Sequence, residues 1–206
     1  YLKSKPKEMS VQVQTWYTLE EYFELEQQAS IKHEFINGKI RPMTYTSRPH
    51  GKIVHNIDRL LGNHFFDSDM NVYPGDRMLY VPDCNKVYYP DLMVIPENAE
   101  PFDYKGKMQA ELYPTTLIEI LSDSTEEDDR DEKWHCYRKI AGLQQYVLVA
   151  QKRMEVEIYT HQTGNRWQYA AFEQEEDQVD IAGCRMKLKH IYHKITFPTS
   201  NENPSS

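Results

Sequence analysis

The sequence predicts a single α/β domain, mixed α+β in character, with a central mixed β-sheet flanked by helices. A length of 206 residues fits one such domain and buries most of the apolar surface of the unfolded chain. The first third carries two stretches with apolar residues at helical spacing. Beyond Gly75 the texture changes to short β-like runs interrupted by one well-signed helix. Hydrophobic residues make up 39% and charged residues 27%, and the 15 tyrosines exceed what a disordered chain carries, so the chain is expected to fold.

Residues 1–14 lack periodicity and read as a flexible arm, 198–206 read as a disordered tail, and 15–197 read as the domain. Thr18 and Glu21 form a capping-box pair ahead of Leu19, Tyr22, Phe23 and Glu26, which predicts a helix over 18–28. Asn37-Gly38 between two short runs is a strong hairpin signal and places Glu34 on a strand. Pro49 then opens a helix over 49–66 whose apolar face carries Ile53, Ile57, Leu60 and Leu61. The runs 77–81, 87–95 and 115–121 read as the centre of the sheet. Ser122, Ser124 or Thr125 is a candidate cap for the next helix, acids fill its first turn, and Gly142 stops it. Residues 146–150 follow as a buried strand reached by a crossover, and 153–159 with 166–172 read as a peripheral hairpin.

The formal charge of −8 argues against a protein that coats nucleic acid nonspecifically, since phosphate binding draws on Lys and Arg. Much of that charge sits in two blocks, EEDDRDE at 126–132 and EQEED at 173–177, and the first reads as a solvated helix start. No apolar run approaches the roughly 20 residues that cross a bilayer, and the N-terminal residues lack the apolar core of a secretory signal, so a cytoplasmic location is expected. Cys84, Cys136 and Cys184 match neither a disulfide framework nor a zinc or redox pair and read as reduced fillers.

Glu119 is the most informative residue, because it interrupts the apolar run Leu117, Ile118, Ile120, Leu121. A carboxylate buried in a strand covered on both faces costs several kcal/mol unless a cation, a cluster or a cavity lies beside it. Asp91 poses the same problem at the mouth of 92–95. Hard oxygen ligands on neighbouring strands suit Mg²⁺ (or Mn²⁺), which keeps waters of its own, and the carbonyl of Ile120 is a further candidate ligand. Lys133 lies one turn before Tyr137 at the edge of the inward stripe of Trp134, Tyr137, Ile140 and Ala141. Its ammonium can point back to the sheet, orient a nucleophile and offset charge on phosphoryl oxygens.

The order Pro90-Asp91, then Glu119-x-Leu121, then Asp129-x-x-x-Lys133 with Tyr137 and GLQQYVLV behind it resembles the bacterial Uma-type family, part of the PD-(D/E)xK nuclease superfamily. The resemblance runs from HEFINGKI at 33–40 through SRPHGKIVHNI at 47–57 to the strands ending near Tyr192. It implies a restriction-endonuclease-like fold, an acidic cluster of Glu34, Asp91 and Glu119, one catalytic lysine, and a site-facing role for His50. Leu121 stands where the superfamily's usual motif has its lysine; the family moves that lysine to the following helix, which matches Lys133. Gln145 stands where the family often has Glu.

Simpler readings stand beside these. Asp91 is also a plausible strand-end acid, Glu119 an ion-pair partner of Lys133, Glu34 a partner of Lys32 or Lys39, and His50 a plain helix-start residue. Asp129 reads as an i,i+4 partner that positions Lys133. His190 and His193 read as surface residues, and Tyr88, Tyr89 and Trp167 suit core packing as well as base stacking. The expectation is metal-dependent hydrolysis of DNA phosphodiester bonds, with a homodimer plausible because a duplex has two strands to cut. The rivals are a nuclease acting on RNA or a small phosphodiester, and a non-catalytic interaction module on the same fold.

Overall fold

The computed structural model describes residues 16–43, 45–123 and 125–197. The expected arm at 1–14, the expected tail at 198–206 and the candidate cap Ser124 lie outside them.

Helix α1 (Leu19–Glu26) starts at the capping box: Thr18 accepts from the Glu21 backbone, and Glu21 accepts from the Thr18 backbone. It buries Tyr22, Phe23 and Glu26. Strands β1 (His33–Ile36) and β2 (Lys39–Pro42) form the expected hairpin, with Asn37 and Gly38 both at positive φ. A side chain at Gly38 would meet the Trp16 ring at 2.7 Å, so glycine is needed there for space as well as for φ. Helix α2 (Arg48–Phe65) is capped by the Ser47 hydroxyl, which accepts from His50 N, and it buries Ile53, Ile57 and Leu61.

The remaining strands are β3 (Met70–Pro74), β4 (Met78–Val81), β5 (Lys86–Tyr88), β6 (Leu92–Pro96), β7 (Phe102–Tyr104), β8 (Met108–Glu111), β9 (Thr116–Leu121), β10 (Gln145–Ala150), β11 (Val156–His161) and β12 (Trp167–Phe172). A small hairpin, β13 (Gln178–Ile181) with β14 (Cys184–Lys187), and a short helix α5 (Leu188–Ile191) follow.

The expected single central sheet is in fact two six-stranded mixed sheets, ordered β2-β1-β5-β4-β8-β7 and β12-β11-β10-β9-β6-β3. The run 87–95 is where they part. Proline cannot donate to a ladder, so Pro90 ends pairing, and β5 joins one sheet while β6 joins the other. Strand 77–81 consequently belongs to the first sheet and not beside 115–121. Strands β9 and β10 are parallel neighbours as expected, with Glu119 opposite Leu148. The long helix expected after Leu121 is wound in short pieces: α3 (Glu126–Asp128), a π-helical turn over Asp129–Lys133 and α4 (Trp134–Tyr137).

Two apolar clusters sandwich the second sheet. Ile118, Ile120, Val147 and Val149 pack with Ile53, Ile57 and Leu61 of α2, while Leu117, Leu121, Tyr146 and Leu148 pack toward Leu79, Val81 and Tyr88 of the first sheet. Alternation along β9 therefore points Glu119, with Leu117 and Leu121, into the seam between the sheets.

Cys84 and Cys136 are paired as a disulfide, which corrects their reading as reduced fillers. They stand 52 residues apart, so only the fold brings them together. Cys184 is free and buried. Among the described residues, no helix is long and apolar enough to cross a membrane.

Candidate active site

The seam opens at one end into a cleft of about 600 Å³ whose wall includes Glu34, His50, Asp91, Glu119, Ile120 and Lys133. Every side chain singled out in the sequence as catalytic or metal-binding therefore meets in one place. Their engagement differs.

Asp91 sits where Pro90 has released the chain from the first sheet, just ahead of β6. Since Leu92 pairs with Ile118, Asp91 falls beside Glu119 on the neighbouring strand. The contacts agree: the Ile120 amide donates to Asp91 Oδ2 at 2.7 Å, and Glu119 Oε2 lies 3.4 Å from the Asp91 amide. From the other side, His50 Nε2 approaches the Asp91 carboxylate at 3.1 Å. His50 is placed by the Ser47 cap in the first turn of α2, and its Nδ1 is buried with no hydrogen-bond partner among the described residues.

Glu119 is 2% exposed. Its Oε1 accepts from Lys133 Nζ at 3.1 Å and from the Tyr137 hydroxyl at 2.9 Å. Burial pushes its carboxyl up to about 8 even though the Lys133 charge pulls the other way, with Asp129 and Asp91 adding repulsion. Lys133 also pairs with Asp129 at 2.8 Å, the expected i,i+4 contact, and lies 4.0 Å from Glu34. Burial alone would weaken its hold on its proton; Glu119, Asp129 and Glu34 outweigh that, and the ammonium is held well above the usual lysine range.

Glu34 pairs with neither Lys32 nor Lys39. Its partner is Arg41, directly opposite in the hairpin, at 2.8 Å, and Arg41 also reaches Asp128. Arg41 is the site residue that sequence reasoning missed. The signal was present, because an Asn-Gly turn that pairs Ile36 with Lys39 must set Glu34 against Arg41.

The acidic block at 126–132 is not the solvated helix start expected of it. Glu126 pairs with Arg130, Asp128 with Arg41, Asp129 with Lys133, and Glu132 with Lys86. Tyr88 and Tyr89 are buried, and Gln145 serves structure instead of the site: its amide bonds the Asp180 carbonyl and the Ala182 amide, pinning the β13–β14 hairpin. His190 and His193 are exposed, as expected.

Among the described residues, no group of three or more His, Cys, Asp or Glu side chains is placed so that it could hold a metal ion as it stands. The donor chemistry nonetheless fits a hard divalent ion. Among the described residues, Glu34, Asp91, Glu119 and Asp129 face only Lys133 and Arg41 as fixed cations, a carboxylate on one wall remains partly open at Asp91, and further positive charge would favour the ionised form of the Glu119 carboxyl that burial disfavours.

Comparison with known proteins agrees with this architecture. The model of the family Uma2, described as "Putative restriction endonuclease", matches residues 19–187. The chain is 34% identical over 150 residues to uncharacterized protein sll1609 of Synechocystis sp., covering 73% of this chain and 84% of that protein. A second uncharacterized protein of the same organism, slr1290, is 28% identical over 180 residues, covering 86% and 92%. The crystal structure of "a putative nuclease belonging to DUF820" from Anabaena variabilis matches with a TM-score of 0.69 at 18% identity, over 85% of this chain and 97% of that one, a likeness of fold.

Proposed function

The chain belongs to the Uma2 family, and from that premise we propose that it is a divalent-metal-dependent endonuclease hydrolysing DNA phosphodiester bonds. The observation that carries the reading is the convergence of Asp91, Glu119 and Lys133 on one cleft, from two adjacent strands and the helical segment behind them. Asp91, Glu119 and the Ile120 carbonyl would hold Mg²⁺ or Mn²⁺, with Glu34 acting from across the cleft. The ion, when bound, polarises a phosphoryl oxygen and eases deprotonation of water at neutral pH.

The chain's own residues supply the rest. Lys133 keeps a full positive charge against the cleft wall, where it offsets the negative charge that grows on phosphoryl oxygens in the transition state. Tyr137 fixes one oxygen of Glu119 and leaves the other turned toward Asp91. The Ile120 amide and His50 clamp Asp91 from two sides, so its carboxylate need not reorganise. Two copies about a two-fold axis would give each strand of a duplex its own site.

Nicking of supercoiled plasmid tests the reading. Nicking is expected with Mg²⁺ or Mn²⁺ and not in EDTA, falling by about 100-fold or more in Glu119→Ala and Lys133→Ala. Equal nicking by all three proteins would mean a contaminant. RNA and a small diester run alongside would identify the substrate if DNA is left intact, a pattern the acidic composition would favour.

The complete engagement of Glu119 Oε1 by Lys133 and Tyr137 favours one other reading, a non-catalytic module whose acids form an ion-paired core. Calorimetric titration with Mn²⁺ separates the two. A binding heat that disappears in Asp91→Ala supports the nuclease, and no heat supports the module.

A further inference from the structure

The outer face of α2 carries a feature that hydrolysis itself does not use. Arg48, Lys52, His55 and Arg59 recur at i, i+4, i+7 and i+11, which places them on one stripe of the helix, opposite the buried Ile53, Ile57 and Leu61. Eleven helical steps carry the stripe over about 16 Å. His193 and Lys194, just after α5, close its side and form a hollow of about 510 Å³ with it. That wall is built in: Asn56 donates from Nδ2 to the Ile191 and His193 carbonyls at 2.9 and 3.0 Å, and Lys52 Nζ donates to the Lys194 carbonyl at 2.8 Å.

The stripe is the reverse of the molecule's overall charge. The chain carries a formal −8, and most of its lysines and arginines near acids are already paired with them. Arg48, Arg59 and Lys194 are exposed and make no ion pair with any described acid. The hollow also leads to the active site. Gly51 lines both it and the groove that contains His50 and Asp91. A Cβ at Gly51 would meet nothing within 4 Å, so interior packing does not demand glycine there. It leaves the helix bare where a strand would cross from the hollow to the cleft.

We infer that this basic stripe of α2, with Lys194, grips the phosphate backbone of the nucleic acid as it runs away from the scissile bond. The inference rests on the nuclease reading for its partner. It assigns phosphate positioning, without base reading, to a surface outside the catalytic cleft.

The test is fluorescence anisotropy of the full chain with a labelled DNA duplex of about 20 base pairs in EDTA, repeated over a range of salt concentrations. Binding is expected to weaken with salt, and each phosphate contact removed should flatten the log–log slope by about 0.9. Arg48→Ala/Arg59→Ala should flatten it by about 2 and weaken binding at low salt at least about tenfold. Arg166→Ala should leave both unchanged, since Arg166 lies in the β11–β12 turn and β12 is at the opposite edge of the sheet from β3, against which α2 packs. If the double variant melts early, Arg59→Ala alone should flatten the slope by about 1. No binding by the wild type, an unchanged slope in the double variant, or equal loss in Arg166→Ala overturns the inference. Salt-dependent binding lost in the double variant, without metal-dependent nicking by the wild type, would sink the nuclease and leave this surface standing. Nicking with an unaltered slope would do the opposite.

Discussion

Lys133 is a buried cation with carboxylates on three sides, so its removal acts on stability as well as on the chemistry proposed for it. Lys133→Ala leaves Asp129 buried without its counter-charge and Glu119 without the ammonium that favours its ionised form, a change that typically costs about 3–5 kcal/mol. Adding Glu119→Gln takes away one of the two acids, so the double variant is expected to be more stable than Lys133→Ala alone, although neither is expected to cut. Urea denaturation of the two proteins decides it. Strictly additive losses would mean that the acid and the amine do not stabilise each other. This coupling was legible in the sequence, because a glutamate inside an apolar strand demands a partner and Lys133 stood on the inward edge of the next helical segment. The phenol of Tyr137 was legible only as a core residue: helical periodicity gives a side chain's direction and not what its polar tip will meet.

The segment from Glu126 to Tyr137 is the element that delivers Lys133, and it is held down by charge more than by its own winding. Its central turn is π-helical, a rare form that is frequent at functional sites, and Tyr146 donates to the Asp129 carbonyl at 2.9 Å within it. Arg130 ties the segment to β11 through two bonds to Glu157, at 2.9 and 2.6 Å, and Tyr169 adds a third at 3.0 Å. Burial tends to raise the Glu157 carboxyl, but the bonds from Arg130 and Tyr169 outweigh it and hold the carboxyl below its usual 4.5. A carboxyl lowered on folding contributes stability that is full above its unfolded value and disappears as pH falls through the folded one. The stability gap between wild type and Glu157→Gln is therefore expected to be constant above about pH 5 and to shrink as pH falls through the lowered folded value, read as urea midpoints down the acid range. A gap that persists at the acid end would remove the ion pair as its cause. The acidic run looked solvated in sequence because its partners are remote: Arg41 lies 87 positions from Asp128, and Lys86 lies 46 from Glu132. Strands β9 and β10 were plain in sequence, being apolar on both faces. Strands β3, β7 and β8 were not, because MNVYP, FDY and MQAE are short and only partly buried.

At the scale of the whole molecule, the candidate active site lies on the seam between two sheets, so whatever fixes one sheet to the other also fixes the site. Glu34 and Arg41 come from the first sheet, Asp91 and Glu119 from the second, and Lys133 from the segment between them. The division was hidden in a sequence whose run 87–95 reads as one strand until a proline is allowed to break it. The Cys84–Cys136 bond lies at the same seam, joining the turn after β4 of the first sheet to α4, one turn beyond Lys133. Restricting a loop of 52 residues in the unfolded chain is worth about 2–4 kcal/mol to the folded state. Oxidised wild type should therefore unfold at a higher urea concentration than the same protein in dithiothreitol. Cys84→Ser should unfold near the reduced wild type with or without reductant, since the two cysteines that remain, Cys136 and Cys184, belong to apolar clusters on opposite faces of the second sheet. Three titratable thiols in the purified wild type and a midpoint indifferent to reductant would show that the two sheets are held at the site by packing and ion pairs alone.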